Sequence, residues 1–134
     1  AGNPVACAAG LAVLDVLEEE ELIDNARLTG GMVVEGLNAL KAKYDLIGDV
    51  RGDGLFFAVD LVTDRSEKTP DATAANWIVN DMRQRGVLIS RIGQHDNVLK
   101  ARPPLCFSAE QAEQLLTTLD ASLNSLTRQN ILER

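Results

Sequence analysis

The opening of the chain is apolar on every side of a predicted helix. Asn3 followed by Pro4 favours a helix start, because asparagine caps the first turn and proline suits the first helical position. The predicted helix runs from Pro4 to about Glu20, and its first charged residue is Asp15. Since a surface helix of a self-contained domain has a polar side, we expect this helix to be covered by polypeptide that is absent from these 134 residues.

The rest of the chain alternates between helical and extended patterns. Helices are predicted over about 22–43 and 72–85, and a last helix opens with a capping-box pattern at Ser108–Gln111. Extended segments rich in branched or apolar residues are predicted over 46–51, 55–62, 87–90 and 98–102. The predicted fold class is α+β: a small antiparallel sheet of three or four strands, with helices packed on one face, preceded by the long apolar helix.

Apolar residues at helical spacing define the candidate core. Those expected to face inward are Ile23, Ala26, Met32, Val33, Leu37, Leu40, Trp77, Ile78, Met82, Leu115, Leu116, Leu119, Leu123 and Leu126. A polar loop, a turn and a frayed tail are expected at 64–71, 93–97 and 127–134, respectively. Gly30 and Gly31 interrupt the second helix, and such glycines allow close packing against a neighbouring element.

Composition and charge narrow the range of partners. The formal net charge of −7 argues against a nucleic-acid surface, which needs a basic stripe, and against an anionic membrane surface. No apolar run reaches the ~20 residues that a membrane span needs. Cys7 and Cys106 lie in apolar stretches and are predicted to be buried free thiols of a cytoplasmic protein. His95 is predicted to lie exposed in a turn, and these residues are too few for a structural metal site.

Lys100 and Arg102 are the candidate binding residues. They lie two apart on a predicted strand, so their side chains are expected on the same side of the sheet, just before Pro103 and Pro104. Two cations on one face suit a carboxylate or a phosphate group. The same pattern is typical of an exposed edge strand, which lysine and arginine protect from unwanted pairing. The spacing alone leaves both interpretations open.

Four short segments follow one another along nearly the whole chain. They are GNPVACAAGLA at 2–12, IGDVRGDGL at 47–55, RGVL at 85–88 and VLKARPPL at 98–105. In this order they resemble the class III aminotransferases, a branch of the fold-type I pyridoxal-phosphate enzymes. The resemblance implies that the chain is the family's C-terminal small domain. Residues 1–20 would then be a helix leading from an absent large domain, and residues 21–134 the small domain itself.

The resemblance also implies the chemistry of the parent enzyme. Its members use pyridoxal phosphate, and the implied partners are the large domain, a second copy in a homodimer, and a small amine or amino acid. The family's Schiff-base lysine lies upstream of the Asn3–Pro4 element. No catalytic or cofactor-binding residue is therefore assigned in this chain, and no cofactor is expected to be bound to it. The parent would transfer an amino group to a keto acid, and this portion alone would be inactive.

One departure from the family pattern concerns the substrate. Many members have arginine three residues before the Pro-Pro pair, where it binds an α-carboxylate through two bonds. Lys100 occupies that position here, and lysine cannot form the same fork. Lys100, together with Arg102, is predicted to bind an anionic substrate group, as the resemblance to the subgroup of phosphoethanolamine and phosphohydroxylysine phospho-lyases suggests. Two alternatives remain: a phospho-lyase acting on a phosphorylated amine, and a free-standing non-enzymatic α+β module for binding or dimerisation.

Overall fold

The computed structural model describes residues 2–132, with side chains described over residues 2–129. Within this part of the chain there are four helices and five strands. In chain order they are α1 (Pro4–Glu19), α2 (Leu22–Lys43), β1 (Ile47–Asp53), β2 (Phe56–Asp64), β3 (Thr69–Pro70), α3 (Ala72–Gln84), β4 (Ser90–Ile92), β5 (Val98–Ala101) and α4 (Ala109–Leu132). The predicted α+β class with a small antiparallel sheet is confirmed.

Helix α1 begins where the sequence predicts. The side chain of Asn3 accepts a hydrogen bond from the backbone N–H of Val5 at 3.0 Å, which satisfies a donor of the first turn. No residue of α1 is buried. The described part of the chain therefore leaves this apolar helix uncovered, as expected. The prediction that Cys7 is buried is wrong, because it lies on this uncovered helix and is exposed.

The sheet has the strand order β1-β2-β5-β4, and every neighbouring pair is antiparallel. A short fifth strand, β3, pairs with the end of β2 where only a polar loop was expected. The carboxylate of Asp64 causes this difference, because its Oδ1 accepts hydrogen bonds from the backbone N–H groups of Ser66 and Glu67, both at 2.8 Å. The resulting turn returns the chain alongside β2.

The strand predicted at 87–90 is shifted in the structure to Ser90–Ile92. Gly86 adopts a positive φ of 87°, and the N–H of Val87 then donates to the carbonyl of Met82 at 2.9 Å. This arrangement closes the end of α3, as glycine commonly does. Residues 87–89 consequently serve as a linker, and pairing with β5 starts only at Ser90.

The core lies between one face of the sheet and helices α2, α3 and α4. Its strand residues include Phe57, Val59, Leu61 and Leu99, all at most 4% exposed. The predicted leucine stripe of α4 is confirmed, since Leu115, Leu119, Leu123 and Leu126 are buried and Leu116 packs against the same cluster. No helix in residues 2–132 is long and apolar enough to span a bilayer.

Two residues of α2 that were expected to face inward do not. Ile23 is 63% exposed and Met32 is 49% exposed. The buried side of α2 instead carries Ala26, Thr29, Gly30, Val33 and Leu37. Small residues on that side let the helix approach the sheet closely, which leaves Ile23 and Met32 on the outer side.

Helix α4 is longer at its end than expected. Its start has the predicted capping box: Ser108 Oγ accepts from the N–H of Gln111 at 3.2 Å, and Gln111 Oε1 accepts from the N–H of Ser108 at 2.9 Å. The helix continues to Leu132, where a frayed tail was expected from Thr127 onward. The two remaining residues of the predicted tail lie outside the described part. Cys106, expected to be buried, is exposed in the turn before this helix.

Asp120 ties α4 to the end of α2. Its Oδ1 accepts hydrogen bonds from Lys43 Nζ at 2.7 Å and from the hydroxyl of Tyr44 at 2.6 Å. Bonds from Lys43 and Tyr44 hold the pKa of Asp120 below its usual value of 3.8, although partial burial acts in the opposite direction. Because the folded-state pKa is the lower one, this stabilisation is present above about pH 4 and is lost as the pH falls through the folded-state pKa.

We therefore expect Asp120→Asn to lower the free energy of unfolding of the chain by about 0.5–1 kcal/mol at pH 7, a modest value because the carboxylate is partly exposed. The difference from the unsubstituted chain should shrink as the pH falls through the folded-state pKa. Urea unfolding at pH 7 and at successively lower pH values measures it. Asp45→Asn is the control, because the side chain of Asp45 is fully exposed and the loss of its pair with Arg65 at 3.5 Å should change little. A difference that stays constant with pH would contradict the assignment.

Candidate substrate-binding face

Among the described elements, no helix covers one face of the sheet, and this face collects most of the charged strand residues. In the register of β1, β2, β5 and β4, residues directly opposite one another share a face. One row on this side consists of Arg51, Ala58, Lys100 and Ser90, and the next of Asp49, Asp60, Val98 and Ile92. Their neighbours Phe57, Val59 and Leu99 point to the core. We call this side, defined by those two rows, the open face.

Lys100 lies in the middle of the open face. It is paired with Ala58 on β2 and with Ser90 on β4, so it belongs to an inner strand. This position is not that of a lysine protecting an edge strand, which was one of the two interpretations left open. None of the ion pairs found among the described side chains involves Lys100. Its ammonium group is therefore available to an anion.

Arg102 lies one residue beyond the end of β5, although the strand was expected to include it. Its guanidinium carbon is 5.7 Å from the centre of the Phe56 ring, a distance typical of a cation–π contact. Phe56 alternates with the buried Phe57 and is half exposed, so this contact holds Arg102 on the side of the open face. The two cations predicted from their spacing are thus brought to the same side of the sheet, for Arg102 by an aromatic contact rather than by strand geometry.

The segment that follows Arg102 is anchored to α2. The side-chain amide of Asn25 donates to the carbonyl of Leu105 at 2.7 Å and to that of Phe107 at 3.1 Å. These bonds connect residues about eighty positions apart in the chain. The Pro103–Pro104 pair between the strand and this anchor restricts the backbone further. The backbone around Arg102 is consequently fixed from both sides.

A network centred on Arg51 neutralises the acidic part of the open face. Arg51 forms a two-bond fork to Asp60, with Nη1–Oδ2 at 2.8 Å and Nη2–Oδ1 at 2.9 Å, and its Nη1 also reaches Asp49 at 2.7 Å. Hydrogen bonds to Asp60 and Asp49 raise the pKa of Arg51 above its usual value. Burial alone would raise the pKa of Asp49, but bonds from Arg51 and Lys41 hold it below its usual value.

Sequence reasoning missed this network. It assigned Arg51 only to the segment that resembles the family. The signal was present in the spacing of Asp49 and Arg51, two apart on a strand and hence on one face. The partner that matters most, Asp60, becomes visible only through the pairing of β1 with β2.

Two grooves lie beside the sheet. The larger, of about 610 Å³, is open to solvent and reaches the helix side, where Phe57 and Leu115 line it together with the linker 86–90, the segment 100–103 and the first turns of α4. Lys100 and Arg102 both contribute to its wall. The smaller, of about 320 Å³, is bordered by Arg51 and by His95, which is exposed in a turn as predicted. No group of three or more potential metal ligands is found among the described side chains.

A family model described as "Aminotransferase class-III" matches residues 1–123. The chain belongs to the class III aminotransferase family. The curated relatives include a protein of Drosophila melanogaster named "Alanine--glyoxylate aminotransferase 2-like", 44% identical over 97% of this chain and 26% of its own length. Another, from Caenorhabditis elegans, is named "Ethanolamine-phosphate phospho-lyase homolog 1" and is 39% identical over 95% of this chain and 27% of its own. The chain spans about a quarter of the length of these relatives.

Solved structures agree with this membership. A phospholyase from Arthrobacter in complex with phosphoethanolamine has a TM-score of 0.86 and 45% identity, covering 92% of this chain and 29% of that one. An amine transaminase from an uncultivated Pseudomonas species, in its PLP-bound internal aldimine form, has a TM-score of 0.81 and 36% identity, covering 91% and 28%. The prediction that the chain resembles a portion of the fold-type I enzymes is confirmed.

The family's cofactor, pyridoxal phosphate, does not fit the described residues by themselves. Its site needs a lysine for the Schiff base, contacts to the ring and donors for the phosphate. On the open face the only lysine is Lys100, and the groove beside it is open to solvent. The described residues form a wall with two cations rather than an enclosed cofactor site.

Proposed function

We propose that this chain is the C-terminal small domain of a class III pyridoxal-phosphate-dependent aminotransferase. Residues 1–20 would lead from the large domain of the same polypeptide, and residues 21–134 would form the small domain of a homodimer. The carrying observation is that Lys100 lies at the centre of the open face and forms no ion pair with the described side chains. It occupies the position three residues before Pro103 at which, by resemblance, many family members bind the substrate's carboxylate.

The open face binds and orients the anionic group of a small amine or amino acid. The ammonium group of Lys100 is a point charge that can bind either a carboxylate or a phosphate. Arg102, held by Phe56, adds a second positive charge at the margin of the same face. When bound in the whole protein, pyridoxal phosphate supplies the electron sink for chemistry at the amino group. This chain alone, without the family's Schiff-base lysine, is expected to hold no cofactor and to have no activity.

A phospho-lyase acting on a phosphorylated amine is the second candidate. Two observations favour it: lysine replaces the arginine that would grip an α-carboxylate, and a structural neighbour at 45% identity is a phospholyase in complex with phosphoethanolamine. Both functions use the open face in the same way, and they differ in the anion that it binds.

We propose that the protein is cytoplasmic, which suits its free thiols Cys7 and Cys106.

The experiment is an assay of the full-length protein, loaded with pyridoxal phosphate, on three anionic amines. L-alanine with glyoxylate and 5-aminovalerate with a keto acid test amino-group transfer by the appearance of new amino acid. Phosphoethanolamine tests the lyase by release of inorganic phosphate. Amino-group transfer to the keto acid supports the first function, and release of phosphate without any keto acid supports the second. A full-length protein that turns over none of the three would contradict both.

Helix α1 is proposed to pack against the large domain. Leu11 and Leu14 are 63% and 60% exposed on a helix that buries nothing within this chain. We expect the isolated 134-residue chain to self-associate through this apolar surface. Leu11→Gln with Leu14→Gln should shift the molar mass measured by light scattering towards the monomer and leave the urea midpoint nearly unchanged.

The same substitution at a buried leucine provides the contrast in stability. Leu123→Gln places an amide at a site with no exposed surface, and we expect a loss of about 3 kcal/mol or more in the free energy of unfolding. Association that is unaffected by the α1 pair would refute the packing role of this helix.

A further inference from the structure

We propose that Arg51 is a positioning residue that keeps Lys100 free for the substrate by occupying the carboxylate of Asp60. The proposal rests on the substrate-binding role proposed above for Lys100. Arg51 makes three hydrogen bonds to carboxylates of its own sheet, and in this role it does not touch the substrate itself.

Asp60 depends on Arg51 alone. Both of its carboxylate oxygens accept from the Arg51 guanidinium, and no other ion pair to Asp60 is found among the described side chains. Asp49 differs, because Lys41 Nζ lies 3.3 Å from its Oδ1 and would remain after the loss of Arg51. Loss of Arg51 would therefore leave one carboxylate on the open face uncompensated, and that carboxylate is Asp60.

The register of the sheet places Asp60 within reach of Lys100. Asp60 is directly opposite Val98 on β5, and Lys100 is two residues further along that strand on the same face. Diagonal neighbours of this kind are about 7–8 Å apart at Cα, a separation that a long side chain can bridge. Asp49 lies one strand further away, on β1 and opposite Asp60, so it is out of reach.

An unpaired Asp60 would compete with the substrate in two ways. The flexible side chain of Lys100 would turn to the nearest uncompensated carboxylate, since it has no ion-pair partner of its own within the described chain. The free negative charge would also repel the anionic group that Lys100 is proposed to bind. The fork from Arg51 prevents both effects, because a bidentate guanidinium–carboxylate pair fixes the geometry of both groups.

The test uses the full-length enzyme loaded with pyridoxal phosphate and the best of the three substrates named above. Arg51→Gln should raise KM about 5- to 10-fold while kcat stays within about twofold, because ground-state and transition-state binding are lost together. Adding Asp60→Asn should restore KM to within about twofold of the unsubstituted enzyme. Adding Asp49→Asn, which removes the same charge, should leave KM raised.

The pair of double variants separates positioning from a general effect of charge or stability. Equal rescue by Asp49→Asn and Asp60→Asn, or an unchanged KM in Arg51→Gln, would overturn the proposal. If Arg51→Gln does not fold, Arg51→Lys serves instead. It keeps the charge but loses the fork, and KM should rise about two- to threefold and again be rescued by Asp60→Asn alone. An unchanged KM in Lys100→Met would instead refute the substrate-binding role on which the proposal rests.

Discussion

Gly30→Ala is expected to lower the free energy of unfolding of this chain by about 2–4 kcal/mol. Gly30 is buried in the middle of α2, where a glycine would ordinarily be a disadvantage to the helix. A Cβ at this position would fall on the backbone of Gly54, well inside van der Waals contact with its carbonyl oxygen. The obstacle is backbone rather than a flexible side chain, so either α2 or the β1–β2 turn must move.

The β1–β2 turn has little freedom to give way. Gly54 itself adopts a positive φ of 50°, and the flanking strands are paired up to Asp53 and Phe56. A shift of the turn would disturb the strand pairing that also places Arg51 opposite Ala58. The clash should therefore lower the free energy of unfolding by more than an overpacked side chain would. It should also displace Arg51 on the open face.

Gly31 provides the matched control. It is adjacent to Gly30 on the same helix, but a Cβ there meets no heavy atom within 4 Å. Gly31→Ala should raise the free energy of unfolding by up to about 1 kcal/mol, because alanine loses less entropy in a helix. Urea unfolding of the 134-residue chain, followed by circular dichroism, measures both variants. Shifts of the same sign and size at the two glycines would contradict the close-approach explanation.

Lys100→Met in the full-length enzyme is expected to raise KM about 10- to 100-fold. The estimate corresponds to the loss of one charge-assisted hydrogen bond in a binding site. Methionine keeps most of the length and apolar volume of the side chain, so the pairing of β5 with β2 and β4 should survive. Steady-state kinetics with L-alanine, 5-aminovalerate and phosphoethanolamine measure the effect.

Arg83→Met is the charge-matched control for this variant. Arg83 is exposed on α3, on the helix side of the sheet, and its loss changes the net charge by the same amount. KM should change less than twofold. Lys100→Arg should favour carboxylate substrates over phosphoethanolamine, since arginine restores a bidentate fork. An equal KM increase in the Arg83 and Lys100 variants would show that only the overall charge matters.

Several features of this protein were predictable because they depend on neighbours in the sequence. The start of α1 at Asn3–Pro4 and the capping box at Ser108–Gln111 each use a side chain within three residues of the backbone group that it satisfies. The apolar stripe of α4 and the absence of a polar side on α1 follow from helical period alone. Family membership was recognisable from four motifs in order.

Other features were decided by the tertiary structure, because they depend on which segments meet. The exposure of Cys7, Ile23 and Met32 follows from the side of each helix that finds a partner, and apolar composition cannot indicate that. The shift of β4 to Ser90 follows from the way Gly86 and Val87 close α3.

The candidate site likewise has features that the sequence predicted and features that only the tertiary structure determined. Lys100 and Arg102 could be singled out by spacing and by their place before the Pro-Pro pair. Strand register revealed that Lys100 is on an inner strand and that Asp60, bound by Arg51, lies diagonal to it. The contact of Arg102 with Phe56 was likewise visible only in the tertiary structure. Local patterns set the chemistry that each residue can offer, whereas pairing between distant strands determined which of these groups stand next to one another.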